Sequence, residues 1–276
     1  MKNELKLIFT SLILLIIAST VCAQKLPNKQ ENSVYAPVNI KIDGRPREWN
    51  NQFNAYNHST QVFYTLANDD DNLYLTIQAI SHRIIEKIIS GGISFVINDL
   101  AKSKKTVDIT YPKLPIPIGY KIILNSGGTT SARPPYPGSN VVVDTLYKPM
   151  PIASDSLKGV ANLQLVQNAN TIGIKGIQEI TDPEISIYNE YGIKAASAFD
   201  HSGAYTYELA LPLKYIQKYM QMTAEGIGKI GYTIKVNTRV QEGKHFRTYY
   251  LDGVDIDIDL DTTTDFSGEY TLAKKP

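Results

Sequence analysis

The chain has 276 residues, 43% of them hydrophobic, with 28 Lys and Arg against 27 Asp and Glu and a single cysteine, Cys22. A formal charge of +1 excludes the strong basic field that a nucleic-acid or anionic-membrane partner requires. One cysteine excludes an intrachain disulfide, so stability has to come from burying an apolar core, for which this length is ample.

Lys2 and Lys6 flank the start of an apolar run from Leu7 to Ala18, and Val21-Cys22-Ala23 precedes Gln24. This is the pattern of a secretory signal peptide over residues 1–23, cleaved after Ala23. The run falls short of the roughly 20 residues that a membrane span needs, so no transmembrane segment is expected after cleavage. A rival reading makes Cys22 a lipidated mature terminus, although Val21 is larger than the residue that usually precedes such a cysteine. Loss of Lys2, Glu4 and Lys6 leaves 26 basic and 26 acidic residues and no cysteine. Residues 24–36 are polar and contain proline, the composition of a flexible leader. The remainder, 37–276, is expected to form one domain.

Ile40-Lys41-Ile42 reads as a short strand closed by the turn pair Asp43-Gly44. Gln61 to Ala67 and Asn72 to Ala79 alternate with period two around Asn68-Asp69-Asp70-Asp71, a hairpin signal. These stretches predict the first edge and first hairpin of an antiparallel sandwich. His82 to Ser90 places apolar pairs at helical spacing and stops at Gly91-Gly92, predicting a short surface helix. Ile93–Ile97 and Thr106–Thr110 predict a second hairpin on the same sheet.

From Tyr111 to Pro151 the chain changes character. Pro112, Pro115, Pro117, Pro134, Pro135, Pro137, Pro149 and Pro151, with Gly127, Gly128 and Gly138, exclude continuous sheet. A long excursion is expected, with short strands at Tyr120–Leu124 and Val141–Thr145. Strands are then predicted at Ala161–Gln167, Thr171–Ile180, Gly192–Ser197 and Tyr205–Leu211, with Asn168-Ala169-Asn170 as a tight turn. Pro212 ends the last of these, and Leu213–Met222 predicts a short helix. Ile230–Val240, His245–Leu251, Val254–Leu260 and Tyr270–Leu272 complete the list of strands. Strands at this spacing with polar turns predict an all-β fold, an antiparallel β-sandwich with one or two short helices and a long Pro/Gly-rich loop excursion.

Three patterns now stand in order: Ile42-Asp43-Gly44 with Trp49, Asp70-Asp71-Asn72-Leu73-Tyr74-Leu75, and Tyr207-Glu208-Leu209-Ala210-Leu211-Pro212-Leu213. Together they resemble the carbohydrate-binding module family 9-like domains, relatives of the DOMON-type sugar- and haem-binding domains. The resemblance implies an exported bacterial sandwich that binds a glycan without catalysis. The Ala23-Gln24 site and the segment Ile185–Ala196 resemble exported proteins of the Bacteroidetes type, implying a Gram-negative periplasm or cell surface. Family members clamp sugar between exposed tryptophans. Trp49 is the only tryptophan here, and its place beside Asp43-Gly44 suits packing rather than contact with ligand.

Tyrosine can replace a tryptophan clamp, because its ring stacks on a sugar while its hydroxyl stays hydrated. Tyr111, Tyr120 and Tyr136 stand in the excursion, with Arg133 able to donate two hydrogen bonds to sugar hydroxyls or a carboxylate. These four residues are the predicted ligand contacts; an ordinary covering loop is the alternative. Asp255, Asp257, Asp259 and Asp261 alternate with apolar residues and suit a hard cation such as calcium. Positions two apart on a strand stand roughly 7 Å apart, so a solvated strand face is the competing reading. His58, His82, His201 and His245 form no recognisable metal or nucleophile motif. A haem-binding reading lacks a paired axial ligand, because nothing couples Met220 or Met222 to a histidine. No carboxylate pair in a catalytic motif is recognised either. The expectation is therefore a binding domain rather than an enzyme, with no cofactor beyond calcium. Its partner is a carbohydrate or, in the alternative, another envelope protein.

Overall fold

A computed structural model describes residues 26–100, 105–115, 118–119, 121–122, 130–133, 144–147, 154–238, 248–249 and 262–276. Alternation in the sequence becomes two antiparallel sheets packed face to face. The first contains β1 (Ala55–Asn57), β2 (Val62–Asn68), β3 (Asn72–Ala79), β10 (Lys194–Phe199) and β11 (Tyr205–Pro212), in the order β1-β2-β3-β11-β10. The second contains β4 (Ile93–Asn98), β5 (Thr106–Tyr111), β8 (Thr171–Lys175), β9 (Glu184–Ser186), β12 (Gln221–Met222) and β13 (Gly228–Val236). Its order is β12-β13-β4-β5-β8-β9, and β15 (Thr264–Thr271) also pairs with β13. A small third sheet joins β6 (Thr130–Arg133), β7 (Asp144–Tyr147) and β14 (Thr248–Tyr249), the last pair parallel.

The core lies between the two large sheets. Tyr64, Leu66, Leu75, Ile77, Tyr207 and Leu209 face Phe95, Ile97, Ile109, Ile174, Tyr232 and Ile234, all buried in one cluster. Residues of one strand that are two apart share a face, so the alternate set Thr65, Thr76, Thr206 and Glu208 lies on the outer face of the first sheet. The helix α1 (His82–Gly91) crosses from one sheet to the other and buries Ile84, Ile85, Ile88 and Ile89 in the same core. A second helix, α2 (Asp155–Asn168), starts at Ser154, whose hydroxyl accepts from the Leu157 amide.

Several sequence expectations need correction. The hairpin β4–β5 belongs to the second sheet, because α1 carries the chain across the sandwich. Ile40–Ile42 forms no strand; its apolar side chains pack beside Trp49 instead. Ala161–Gln167 is the second half of α2, not a strand. Residues 118–119 and 121–122, within and beside the strand expected at Tyr120–Leu124, are helical. Leu213–Met222 is two 3-10 turns, Leu213–Tyr215 and Gln217–Tyr219, followed by β12. Strand residues 144–145 fall within the predicted Val141–Thr145, and 248–249 within His245–Leu251; Val254–Leu260 lies outside the described residues.

The segment read as a flexible leader is docked from residue 26 onward. Beyond the end of β1, the side-chain amide of Gln30 accepts from the Leu66 amide at 2.7 Å and donates to the Leu66 carbonyl at 2.8 Å. It thereby replaces a neighbouring strand. Val34 and Ala36 then bond both backbone groups of Asn68. Asn162 of α2 does the same at the other edge, bonding the amide and carbonyl of Phe199 at 2.8 and 2.9 Å. At each side of the first sheet one residue's amide and carbonyl are thus closed by a side-chain amide, which removes ladder groups that would otherwise template association.

Candidate functional site

The three patterns that are spread over 170 positions of sequence meet on the outer face of the first sheet. Glu208 sits mid-strand in β11, opposite Thr76 on one side and Ala196 on the other. Its Oε2 accepts from the backbone amides of Asp43 at 3.0 Å and Gly44 at 2.8 Å. Gly44 has φ of +78°, and a Cβ there would lie 2.6 Å from the backbone of Ser197 and Ala198. Only glycine permits that turn to reach the sheet. Trp49 closes the 3-10 turn Pro46–Trp49 and packs with Ala36, Ala67, Tyr74 and Ala210 in a separate apolar cluster. The expectation that its ring packs rather than meets solvent agrees with its 8% exposure.

The middle pattern joins the same assembly. Asp69 accepts from the amides of Asp71 and Asn72 through Oδ1, at 2.9 and 2.7 Å, and from the Tyr74 hydroxyl through Oδ2 at 2.6 Å. Burial alone would raise its pKa, but these donors hold the carboxyl below its ordinary value. The turn is therefore fixed by its own carboxylate, as its sequence implies. The Leu213 amide donates to the Asp71 carbonyl at 2.8 Å, which ties the end of β11 to that turn.

Glu208 is wholly buried, and its Oε1 has no hydrogen-bond partner among the described residues. Burial pushes its carboxyl up to about 7, outweighing the two backbone donors, with Asp43 and Glu48 adding like-charge repulsion. Glu208 thus acts as a latch on the N-terminal segment, and it titrates near neutrality.

A groove of about 750 Å³ opens between Ile40–Ile42, the Asp70–Asn72 turn, Glu190–Gly192 and the Pro212–Lys214 corner. Ile40, Ile42, Ala210 and Leu213 supply apolar surface, and the half-buried Tyr191 supplies an aromatic ring. Lys41, Asp70, Asp71, Glu190, Lys194 and Lys214 line it with three charges of each sign. None of the six belongs to an ion pair among the described residues. Such a groove can hydrogen-bond a neutral polar molecule from many directions and place one apolar face against its floor.

The predicted ligand residues fare differently. Tyr111 ends β5 as a core residue, 3% exposed, its ring 6.0 Å from that of Tyr207. A tyrosine at the end of an apolar strand is drawn inward with the strand's face, so its ring offers no surface to a ligand. Arg133 is placed only as the last residue of β6, opposite Asp144. Tyr120, Tyr136, Asp255, Asp257, Asp259 and Asp261 lie outside the described residues. Among the described residues, no group of three or more His, Cys, Asp or Glu side chains is placed to hold a metal, and no helix is long and apolar enough to cross a membrane.

Ile42, Asp70, Asp71, Pro212 and Leu213 were singled out in the sequence, but Glu190, Lys194, Lys214 and Gln217 were not. These four are exposed polar positions in or beside turns, where no periodicity marks them. The one available signal is the charge-flanked run Glu190-Tyr191-Gly192-Ile193-Lys194. Comparison with protein-family models, with curated proteins and with solved structures gives no match.

Proposed function

We propose that the groove between Ile40–Ile42 and the Pro212–Lys214 corner binds a hydroxyl-rich ligand, a carbohydrate, and that the protein is an exported, non-catalytic binding domain of a Gram-negative periplasm or cell surface. One observation carries the reading: six charged side chains, unpaired with one another, surround an apolar floor in a groove of about 750 Å³. That volume lies within the range of small-ligand sites. Charged donors and acceptors make stronger hydrogen bonds to hydroxyls than neutral ones, while equal numbers of each sign favour a neutral ligand. Tyr191 provides a ring for stacking on sugar C–H groups. The resemblance of the three patterns to sugar-binding sandwiches supports the same reading, since residues from each of them, Ile42, Asp70–Asn72 and Pro212–Leu213, line the groove.

Affinity-gel retardation and a glycan array test it, comparing the wild type with the Asp71→Ala/Glu190→Ala/Lys194→Ala variant. All three side chains are exposed, so the fold should survive. Retention by at least one uncharged polysaccharide, lost in the variant, is expected. Failure to bind any glycan, or equal binding by the variant, contradicts the proposal.

A second reading, an envelope protein-interaction domain without sugar binding, is favoured by α2. Leu157, Val160, Leu163 and Val166, at three-residue spacing, are 43%, 39%, 61% and 70% exposed, and exposed apolar surface of this kind marks interaction sites where it is contiguous. Replacing Leu163 and Val166 by serine should leave glycan retention unchanged, and would abolish function only under this reading.

A further inference from the structure

A second groove, of about 470 Å³, opens on the first sheet where β2 begins and β3 ends. Phe53, Phe63 and Ile80 give it apolar surface, the carboxamides of Asn51, Gln52 and Gln78 supply its polar groups, and none of its described lining residues is charged. Phe63 and Gln78 are register partners on the outer face of the sheet, the face that carries Tyr74 into the first groove. Tyr74 and Gln78 are four residues apart on β3, roughly 13 Å along the strand, so the two grooves share one surface.

Both rings are held in place by the protein itself. Asn50 and Asn51 follow the 3-10 turn Pro46–Trp49 with φ of +51° and +53°, a left-handed pair that turns the chain back and that asparagine tolerates better than most residues. The Asn54 amide then donates to the Tyr64 carbonyl at 3.2 Å and to Thr65 Oγ1 at 3.1 Å. This pins Phe53 beside Phe63, with ring centres 5.9 Å apart. Tyr56, opposite Phe63 on β1, lies against it with ring centres 4.6 Å apart. The Gln78 amide donates to Thr206 Oγ1 at 3.2 Å, which orients the carboxamide and leaves its oxygen as an acceptor. Phe53 and Phe63 stay half-exposed.

Such a surface selects its ligand. A charged molecule finds no counter-charge among these residues, and a wholly apolar one would desolvate three carboxamides without replacing their hydrogen bonds. A sugar meets both needs: its C–H face stacks on half-exposed rings, and its hydroxyls donate and accept, as carboxamides do. Given a carbohydrate in the first groove, we propose that this groove is a second subsite for the same neutral glycan, so that the ligand is a polysaccharide chain reaching both grooves and not a single sugar. Two contacts joined by one chain hold more tightly than either alone, because the second forms at high effective concentration.

The test uses the full chain in native gels containing uncharged polysaccharides (a β-glucan, a mannan, a xylan, a dextran), each read against a gel without polymer. The wild type is compared with Phe53→Ala, with Gln52→Ala/Ile80→Ala and with the Asp71→Ala/Glu190→Ala/Lys194→Ala variant of the first groove. Gln52 and Ile80 are both exposed, so their variant reads the groove even if Phe53→Ala fails to fold. A polymer that retards the wild type should bind each variant roughly tenfold or more weakly. The disaccharide unit of that polymer, too short to reach both grooves, should bind the wild type at least roughly tenfold more weakly than the polymer does. Equal retardation of the wild type and Gln52→Ala/Ile80→Ala, or a disaccharide bound as tightly as the polymer, overturns the second subsite and leaves the first groove's reading intact. Retardation lost with the second groove but unchanged in the first groove's variant overturns the joint binding and removes the first groove's reading. A wild type that none of these polymers retards removes both, so the failures are told apart.

Discussion

Replacing Glu208 by glutamine should stabilise the protein at alkaline pH and leave it almost unchanged at acidic pH. The carboxyl is buried and its pKa rises from 4.5 to about 7. At 1.36 kcal/mol per pH unit, that displacement is worth about 3 kcal/mol. The folded-state value lies above the unfolded one, so this contribution is fully present below about pH 4.5 and is lost as pH rises through about 7. Glutamine keeps an acceptor for the amides of Asp43 and Gly44 but never becomes charged. Urea unfolding followed by the fluorescence of Trp49, the only tryptophan and a neighbour of the latch, supplies the measurement. At pH 5 the two proteins should agree within about 1 kcal/mol, and at pH 8.5 the variant should lead by about 2–3 kcal/mol. Glu86, also pushed up to about 7 by burial, adds a pH dependence of the same sign, so the difference between the two proteins is the quantity to read. A difference that does not change between pH 5 and pH 8.5 refutes the reasoning.

Other substitutions probe the same architecture. Gly44→Ala combines a φ of +78° with a 2.6 Å approach to the backbone of Ser197 and Ala198, and should cost about 2–4 kcal/mol in urea unfolding. Gln30→Ala leaves the Leu66 amide and carbonyl without the side chain that serves both; a loss of about 1–3 kcal/mol and faster proteolysis of residues 26–36 are expected. Tyr207→Phe should be neutral or stabilising by about 1 kcal/mol, because its hydroxyl is wholly buried and has no hydrogen-bond partner among the described residues. A clear loss of stability on removing that hydroxyl would instead reveal a partner such as an internal water.

Legibility differed by region for physical reasons. The pair β2 and β3 was plain, since alternation and an Asx turn are local signals and the turn's bonds are indeed local. The helix α1 was equally plain, because its isoleucines recur on one face. By contrast, α2 reads as a strand because Ala161, Leu163 and Leu165 alternate with Asn162 and Gln164. Its apolar side chains are not gathered on one face, since Leu163 and Val166 point to solvent, so helical periodicity is lost. Order in residues 26–36 comes from bonds to β2, about 35 positions away, which composition does not encode. Alternation along β11 places Glu208 on an outward face, where a glutamate is ordinarily hydrated. It is buried because the 43–49 segment covers that face, a tertiary event invisible in the strand itself. The groove is likewise assembled from residues distant in sequence, Ile40–Ile42, Asp70–Asn72, Glu190–Gly192 and Pro212–Lys214.

Hydrogen exchange at the amides of Asp43 and Gly44 tests most directly whether the dispersed patterns form one physical unit. Both amides lie in a loop outside any helix or strand, so without the Glu208 carboxylate they should exchange at rates typical of a surface turn. The account predicts strand-like protection at both, diminished in Glu208→Ala. Unprotected amides in the wild type, or protection unaltered by that substitution, would contradict it.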